Sequence, residues 1–125
     1  MLNINPLTAQ REYTQGVDID GIDVTLCLSA HALERIEEYG ISQWEVLADI
    51  MLAGERLLEE GNQRTAAILN MESGITTLVT VSSEAGIYFD VITVMNHIPV
   101  HETRHGKKVV RLSRVARIIT LNGHY

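Results

Sequence analysis

The hydrophobic pattern of the chain changes period at Gly61, and this change limits the folds that the sequence can adopt. Residues 30 to 60 carry apolar side chains at the three- and four-residue spacing of amphipathic helices. Residues 64 to 95 instead form β-branched runs between short turns, as in "ITTLVTVS" and "IYFDVITVM". We therefore predict an α+β domain in which two helices pack on one face of a small antiparallel sheet built chiefly from residues 64 to 95.

Turn and capping residues predict a hairpin and a first helix. The segment "GVDIDGIDVTLCL", residues 16 to 28, alternates apolar and polar residues around Asp20-Gly21, a dipeptide that suits a tight hairpin turn. Ser29 can cap a helix over residues 30 to 39, and Gly40 can end it.

A second helix is predicted from about Gln43 to Glu60, because "SQWE" from Ser42 has the sequence of a capping box. Gly54 is expected to weaken this helix or to end it early. Its acidic residues, Asp49 among them, are expected to face water. Its apolar stripe is predicted to be Val46, Leu47, Ile50, Met51, Leu57 and Leu58.

Three strands are predicted after Gly61, most simply as an antiparallel meander. In the third strand, strict alternation assigns Phe89, Val91, Thr93 and Met95 to one face. The C-terminal segment "GKKVVRLSRVARIITLNGHY" fits a strand over residues 107 to 112 or a helix, and both interpretations stay open.

Charge is distributed unevenly along the chain. Residues 1 to 102 contain four basic and sixteen acidic side chains, whereas residues 103 to 125 contain six basic and no acidic ones. The net charge of -6 argues against nucleic-acid binding by the whole domain. The basic segment can bind phosphates, or it can form a solvated face or dock on the acidic second helix. Its candidate nucleic-acid-binding residues are Lys107, Lys108, Arg111, Arg114 and Arg117.

The 125 residues suit one domain, and no apolar run approaches the roughly 20 residues of a membrane span. The N-terminus lacks the order of charges and apolar residues of a signal peptide. We expect a soluble, cytoplasmic protein without membrane partners. Cys27 is the single cysteine, which excludes an internal disulfide, and its strand-like setting predicts a buried thiol.

The segment "HETRH", residues 101 to 105, satisfies the zinc-protease pattern H-E-x-x-H. That pattern requires an uninterrupted helix, but Pro99 precedes the segment and Gly106 follows it. We interpret it as a connecting loop rich in histidine and expect neither a metal site nor a cofactor. A zinc hydrolase remains an alternative to be tested by metal content.

The stretch "LSAHALERIEEYGIS" resembles the start of a family of small bacterial domains of unknown function. Its letters H-A-x-x-R-x-x-x-x-G-I-S fit that family's signature, and the similarity continues through "EVLADIMLAGE" and "LVTVSSEAGIYFDVITV". The chain departs from the pattern at Tyr39, where an arginine is usual, and in its C-terminal extension. On this resemblance it comprises one RNase-toxin-like domain, with a hairpin segment (1–24), a family-like core (25–95) and a basic extension (96–125).

The resemblance implies membership of the barnase, EndoU, colicin and RelE-like group of toxin RNases, which cut RNA without a metal. It implies that His31 transfers protons, that Arg35 binds phosphate and that Thr93 donates a hydroxyl. Histidine and arginine suit these roles because imidazole changes charge near neutral pH and guanidinium matches two phosphate oxygens. RNA is then one partner and an immunity or antitoxin protein another, and a homo-oligomer is compatible with the sequence.

A different class of function fits the acidic charge. The chain can be a catalytically inactive binding protein on the same fold, such as an immunity factor, an antitoxin or a phage-encoded inhibitor. His31 is then an exposed helix histidine, Arg35 an ion-pair partner of Glu34 or Glu38, and Thr93 an ordinary strand residue.

Overall fold

The computed structural model describes residues 11–59, 64–83, 85–98 and 108–112. These residues form six strands and two helices, which confirms the α+β class, the hairpin and the two helices that follow it. In chain order the elements are β1 (Arg11–Ile19), β2 (Ile22–Ser29), α1 (Ala30–Tyr39), α2 (Gln43–Leu58), β3 (Arg64–Asn70), β4 (Ile75–Ser82), β5 (Ile87–Met95) and β6 (Lys108–Leu112).

The strands form one sheet in the order β1-β2-β5-β4-β3-β6. The predicted antiparallel meander β3-β4-β5 is its centre. The N-terminal hairpin extends the sheet because β2 pairs with β5, and β6 extends it beside β3; both of these pairings are parallel. The sheet is therefore larger than predicted and mixed rather than antiparallel.

The hairpin and the first helix form as their local signals predict. Asp20 and Gly21 connect β1 to β2 with positive φ angles of 56° and 84°, the backbone that a two-residue hairpin turn requires. The Ser29 hydroxyl caps α1 by accepting a hydrogen bond from the Ala32 N–H at 2.9 Å. Gly40 ends α1 in the left-handed conformation, at φ 67°.

The second helix begins at the predicted residue, and the Ser42 hydroxyl caps it by accepting from the Trp44 N–H at 3.1 Å. The predicted capping box is wrong in detail, because Ser42 and Glu45 do not exchange side-chain hydrogen bonds in the described part of the chain. The helix ends at Leu58 rather than Glu60, and Gly54 neither ends nor interrupts it. Gly54 is buried where α2 crosses β1, and a Cβ atom there would lie 2.8 Å from Cδ1 of Ile19. The glycine therefore permits close packing of the helix on the sheet.

Both helices cover the same face of the sheet, called here the helix face. Val24, Leu26 and Leu28 of β2 belong to the hydrophobic core together with the buried residues of both helices. Cys27, which lies between them in the strand, does not belong to that core and marks the opposite face.

A bulge in β5 changes the predicted alternation of that strand. Val79 pairs with Val91 but Leu78 pairs with Thr93, so Ile92 is an extra residue. Val94 consequently joins Phe89 and Val91 in the core. Thr93 shares the opposite face with Leu78, and the predicted grouping of Thr93 with Phe89 and Val91 is wrong.

Two side chains of α2 differ from the prediction in their exposure to solvent. Asp49 is 4 % exposed rather than facing water, and the Asn70 Nδ2 donates to its Oδ1 at 3.0 Å. Met51 is 41 % exposed rather than part of the buried stripe. The prediction is wrong at these two positions, whereas Val46, Leu47, Ile50 and Leu57 are buried as predicted.

Candidate functional site

His31 is the second residue of α1, and its side chain is exposed. Arg35 lies four residues later, so both side chains project from the same side of the helix, about 6 Å apart at Cβ. The core side of α1 is formed by Ala32 and Ile36 instead. The sequence predicted this arrangement, because it follows from the helix alone.

A buried hydroxyl fixes the start of α1 against β5. Ser29, which is 5 % exposed, donates from its Oγ to the Ile92 carbonyl oxygen at 3.2 Å. His31 is two residues from one end of this hydrogen bond, and Thr93 is one residue from the other end. The backbones of the two candidate residues are thereby held near each other.

The side chains of His31 and Thr93 are nevertheless directed differently. Thr80 pairs with Asp90 and Leu78 pairs with Thr93, and these two residues of β4 lie on the same face of the sheet. The Thr93 side chain therefore shares the face of Asp90, opposite to the helices. The helix groups His31 with Arg35, whereas the strand register places the Thr93 side chain on the other face of the sheet.

Arg35 is half-buried, and one nitrogen of its guanidinium group is paired while another is not. Its Nη1 pairs with Oε1 of Glu38 at 2.7 Å, as one structural interpretation of the sequence predicted. Its Nε is buried and has no hydrogen-bond partner among the described residues. This donor is unsatisfied within the described protein, but it is closed to solvent, so an anion reaches it only if the Arg35 side chain moves.

Part of the basic segment is a strand at the sheet edge. Residues 108 to 112 form β6, so the strand interpretation holds for this portion, and Arg111 is exposed. Lys107, Arg114 and Arg117 lie outside the described residues, as does the side chain of Lys108.

The predicted loop "HETRH", residues 101 to 105, also lies outside the described residues. Within the described ranges, no three His, Cys, Asp or Glu side chains are grouped closely enough to hold a metal ion.

An ionic cluster that was not predicted from the sequence lies on the face opposite the helices. Nε and Nη2 of Arg11 donate to the two carboxylate oxygens of Asp90 at 2.6 and 2.8 Å. The hydrogen bond to Asp90 raises the pKa of Arg11, although partial burial opposes this shift. The guanidinium carbon lies 4.1 Å from the ring centre of Tyr88. One signal was available, since an acid within the apolar run "IYFDVITV" requires a buried partner.

Cys27 lies beside this cluster as the cross-strand neighbour of Asp90. Its thiol is buried, and desolvation together with the Asp90 charge raises its pKa to about 12. A thiol that resists ionisation in this way is a poor nucleophile, which agrees with the predicted structural role.

No helix within the described ranges is long and apolar enough to cross a membrane. No family model, curated protein or solved structure matches the chain.

Proposed function

We propose that the protein is a metal-independent endoribonuclease of the toxin type, with His31 and Arg35 as its reactive pair. The observation that carries the proposal is the position of an exposed imidazole and of a guanidinium, whose buried Nε has no described partner, on one side of α1. The two side chains are one helical turn apart, at a helix start that is tied to the sheet. The resemblance of this stretch to the toxin-like family supports the same assignment.

The proposed reaction uses the substrate's own 2′-hydroxyl as nucleophile. The His31 imidazole accepts the proton of the 2′-OH, and O2′ forms a bond to the adjacent phosphorus. The bond from phosphorus to O5′ breaks, and the leaving oxygen takes a proton from water. Arg35 holds the non-bridging oxygens, whose negative charge increases in the transition state. The products are a 2′,3′-cyclic phosphate and a 5′-hydroxyl end.

Thr93 has no role in this reaction, because its side chain leaves β5 on the face opposite the helices. Attraction of RNA is assigned to the basic segment, residues 103 to 125, since it carries six basic and no acidic side chains, whereas residues 1 to 102 carry sixteen acids against four basic residues. A cytoplasmic RNase of this type needs a cognate antitoxin or immunity protein to protect the cell that makes it.

The proposal is tested with purified chain and a single-stranded RNA labelled at its 5′ end. We expect His31→Ala to slow cleavage by roughly 10²- to 10⁴-fold, because it removes the general base. His97→Ala is the matched control, since His97 is also exposed but lies after β5. Equal cleavage by wild type and His31→Ala would rule out the assignment.

The role of Arg35 and the independence of cleavage from metal ions are tested separately. Arg35→Lys keeps the charge but loses the two-point fork, so cleavage should fall, whereas Arg56→Ala on α2 should cleave normally. Cleavage should persist in EDTA. Loss of cleavage in EDTA with recovery on adding zinc would instead assign the chemistry to "HETRH".

The second candidate is a non-enzymatic binding protein, and the net charge of -6 favours it because a polyanion is repelled. Growth of bacteria that express the chain separates the two functions. Growth arrest that His31→Ala relieves supports the RNase. Normal growth, together with no RNA affinity at low salt, supports the binding protein.

A further inference from the structure

An acidic-rimmed groove lies between α2 and the turn that joins β3 to β4. It encloses a volume of 630 Å³, and its apolar lining includes Ala48, Leu52 and Ile75. Glu45 on the helix and Glu72 in the turn are exposed acidic residues of the lining. The groove therefore combines an apolar floor with negative charge, which suits an occupant that is both apolar and basic.

Large apolar side chains stand exposed along this groove. Met51 lines it at 41 % exposure, and Met71, between two lining residues of the turn, is 48 % exposed. Trp44, one helical turn before Ala48, is 61 % exposed. Ile22 is the one other large hydrophobic residue so exposed in the described ranges, so exposed apolar surface concentrates beside the groove.

The chain leaves β6 at the edge of the same groove. The Met71 N–H donates to the Leu112 carbonyl oxygen at 2.7 Å, and Leu112 pairs with Asn70, a residue of the groove lining. Leu112, the last described residue of β6, therefore lies beside the turn that forms one wall. Six residues span at most about 20 Å, and α2 itself contacts β6, so the segment after Leu112 is long enough to reach the helix.

The sequence after Leu112 is both apolar and basic, as the groove requires of its occupant. Residues 113–125, "SRVARIITLNGHY", contain two arginines and no acid. Val115 lies between the two arginines in sequence, and Ile118 and Ile119 directly follow the second one. A second copy of the domain is a poorer occupant, because its net charge of -6 is repelled by the acidic rim.

We propose that residues 113–125 dock in this groove of their own chain, with apolar side chains on Ala48, Leu52 and Ile75. Arg114 and Arg117 face the carboxylates of Glu45 and Glu72. In this proposal the basic segment has two roles: Lys107 and Lys108 bind RNA, and Arg114 and Arg117 hold residues 113–125 in place. The docking does not depend on RNA cleavage.

The test is a charge-reversal cycle in the full chain. Glu45→Arg with Glu72→Arg reverses the rim, and Arg114→Glu with Arg117→Glu reverses the segment. Each pair should lower Tm by about 4 °C, since like charges then face each other. The fourfold variant should recover the part of this loss that comes from the contact, because the attraction returns with opposite sign, whereas the loss of the acidic residue in the first turn of α2 is not recovered. Tm losses that simply add would overturn the docking.

The matched control reverses Glu34 and Glu37, two exposed acids of α1 away from the groove. Combined with the segment reversal, this pair should show additive effects on Tm. Sedimentation must show a monomer across the cycle; recovery that occurs only in a dimer would place the segment on a second copy and overturn docking in its own chain.

Salt dependence of RNA binding provides a second readout. Lys107→Ala with Lys108→Ala should flatten the slope of log affinity against log salt by about 1.4, since each phosphate of a single strand that a lysine neutralises adds about 0.7 to that slope. Arg114→Ala with Arg117→Ala should leave the slope unchanged and lower Tm. A flattened slope with unchanged Tm in the arginine variant would assign the segment to RNA and overturn the docking.

Discussion

Arg11 and Asp90 are 79 residues apart in sequence and form a two-point ion pair, with Nε–Oδ1 and Nη2–Oδ2 distances of 2.6 and 2.8 Å. Arg11 begins the edge strand β1, and Asp90 lies in β5, on the other side of β2. The pair therefore links two strands that are not neighbours in the sheet.

Removal of Arg11 should destabilise the fold far more than its position at a sheet edge indicates. Arg11→Ala leaves the Asp90 side chain, 4 % exposed, without its cation, and we expect a loss of about 3 kcal/mol in urea denaturation. Arg35→Ala is the control, because its pair with Glu38 is far more exposed and should contribute less than about 0.5 kcal/mol. Equal losses in the two variants would contradict the buried role of Asp90.

The two helix caps should differ in their contribution. Ser42 accepts one exposed hydrogen bond, so Ser42→Ala should cost about 1 kcal/mol. Ser29 accepts from Ala32 and donates to Ile92, both with little solvent access, so Ser29→Ala should cost about 2 kcal/mol. If His31 acts as proposed, only Ser29→Ala should also slow RNA cleavage. Thermal unfolding and cleavage assays on both variants measure this difference.

Asn70→Asp should produce a stability loss that depends on pH. The new carboxylate can still accept from the N–H groups of Glu72 and Ser73, but it no longer donates to Asp49 and repels it. We expect a loss of about 2 kcal/mol at pH 7 that shrinks towards pH 4, because protonating one carboxyl removes the repulsion. Asn96→Asp, at an exposed position, should show neither effect in unfolding scans at both pH values.

Cys27 should be unreactive in the folded chain. With its pKa raised from 9.0 to about 12, roughly one thiol in 10⁴ is ionised at pH 8, compared with about one in ten after unfolding. Alkylation by iodoacetamide at pH 8 should therefore be at least 100-fold slower in buffer than in urea, followed by mass spectrometry. Equal rates would show that the thiol is accessible.

The same shift has a consequence for stability with a defined sign. The pKa of Cys27 is higher in the folded state than the unfolded value of 9.0, so its contribution to the free energy of unfolding is fully present below pH 9. That contribution is lost as the pH rises from 9 towards 12. Cys27→Ala should therefore lose less stability than wild type between pH 8 and pH 10.5, as measured by urea denaturation at each pH.

Features that depend on neighbouring residues were predictable from the sequence. The turn at Asp20-Gly21, the cap at Ser29 and the end of α1 at Gly40 each follow from backbone preferences within a few residues. The juxtaposition of His31 and Arg35 was predictable for the same reason, because one helical turn suffices to place them together.

Features that depend on distant partners were decided by the packing of the whole chain. The bulge in β5 places Thr93 on the face opposite to the predicted one. Gly54 lies inside α2 because the helix packs closely on Ile19 there. Asp49 is buried because Asn70 donates a hydrogen bond to it. The pairing of Arg11 with Asp90 likewise requires β2 to join the sheet beside β5. Periodicity describes a strand or helix by itself, whereas register, close approach and ion pairing are free energies between elements, which exist only once those elements have packed together.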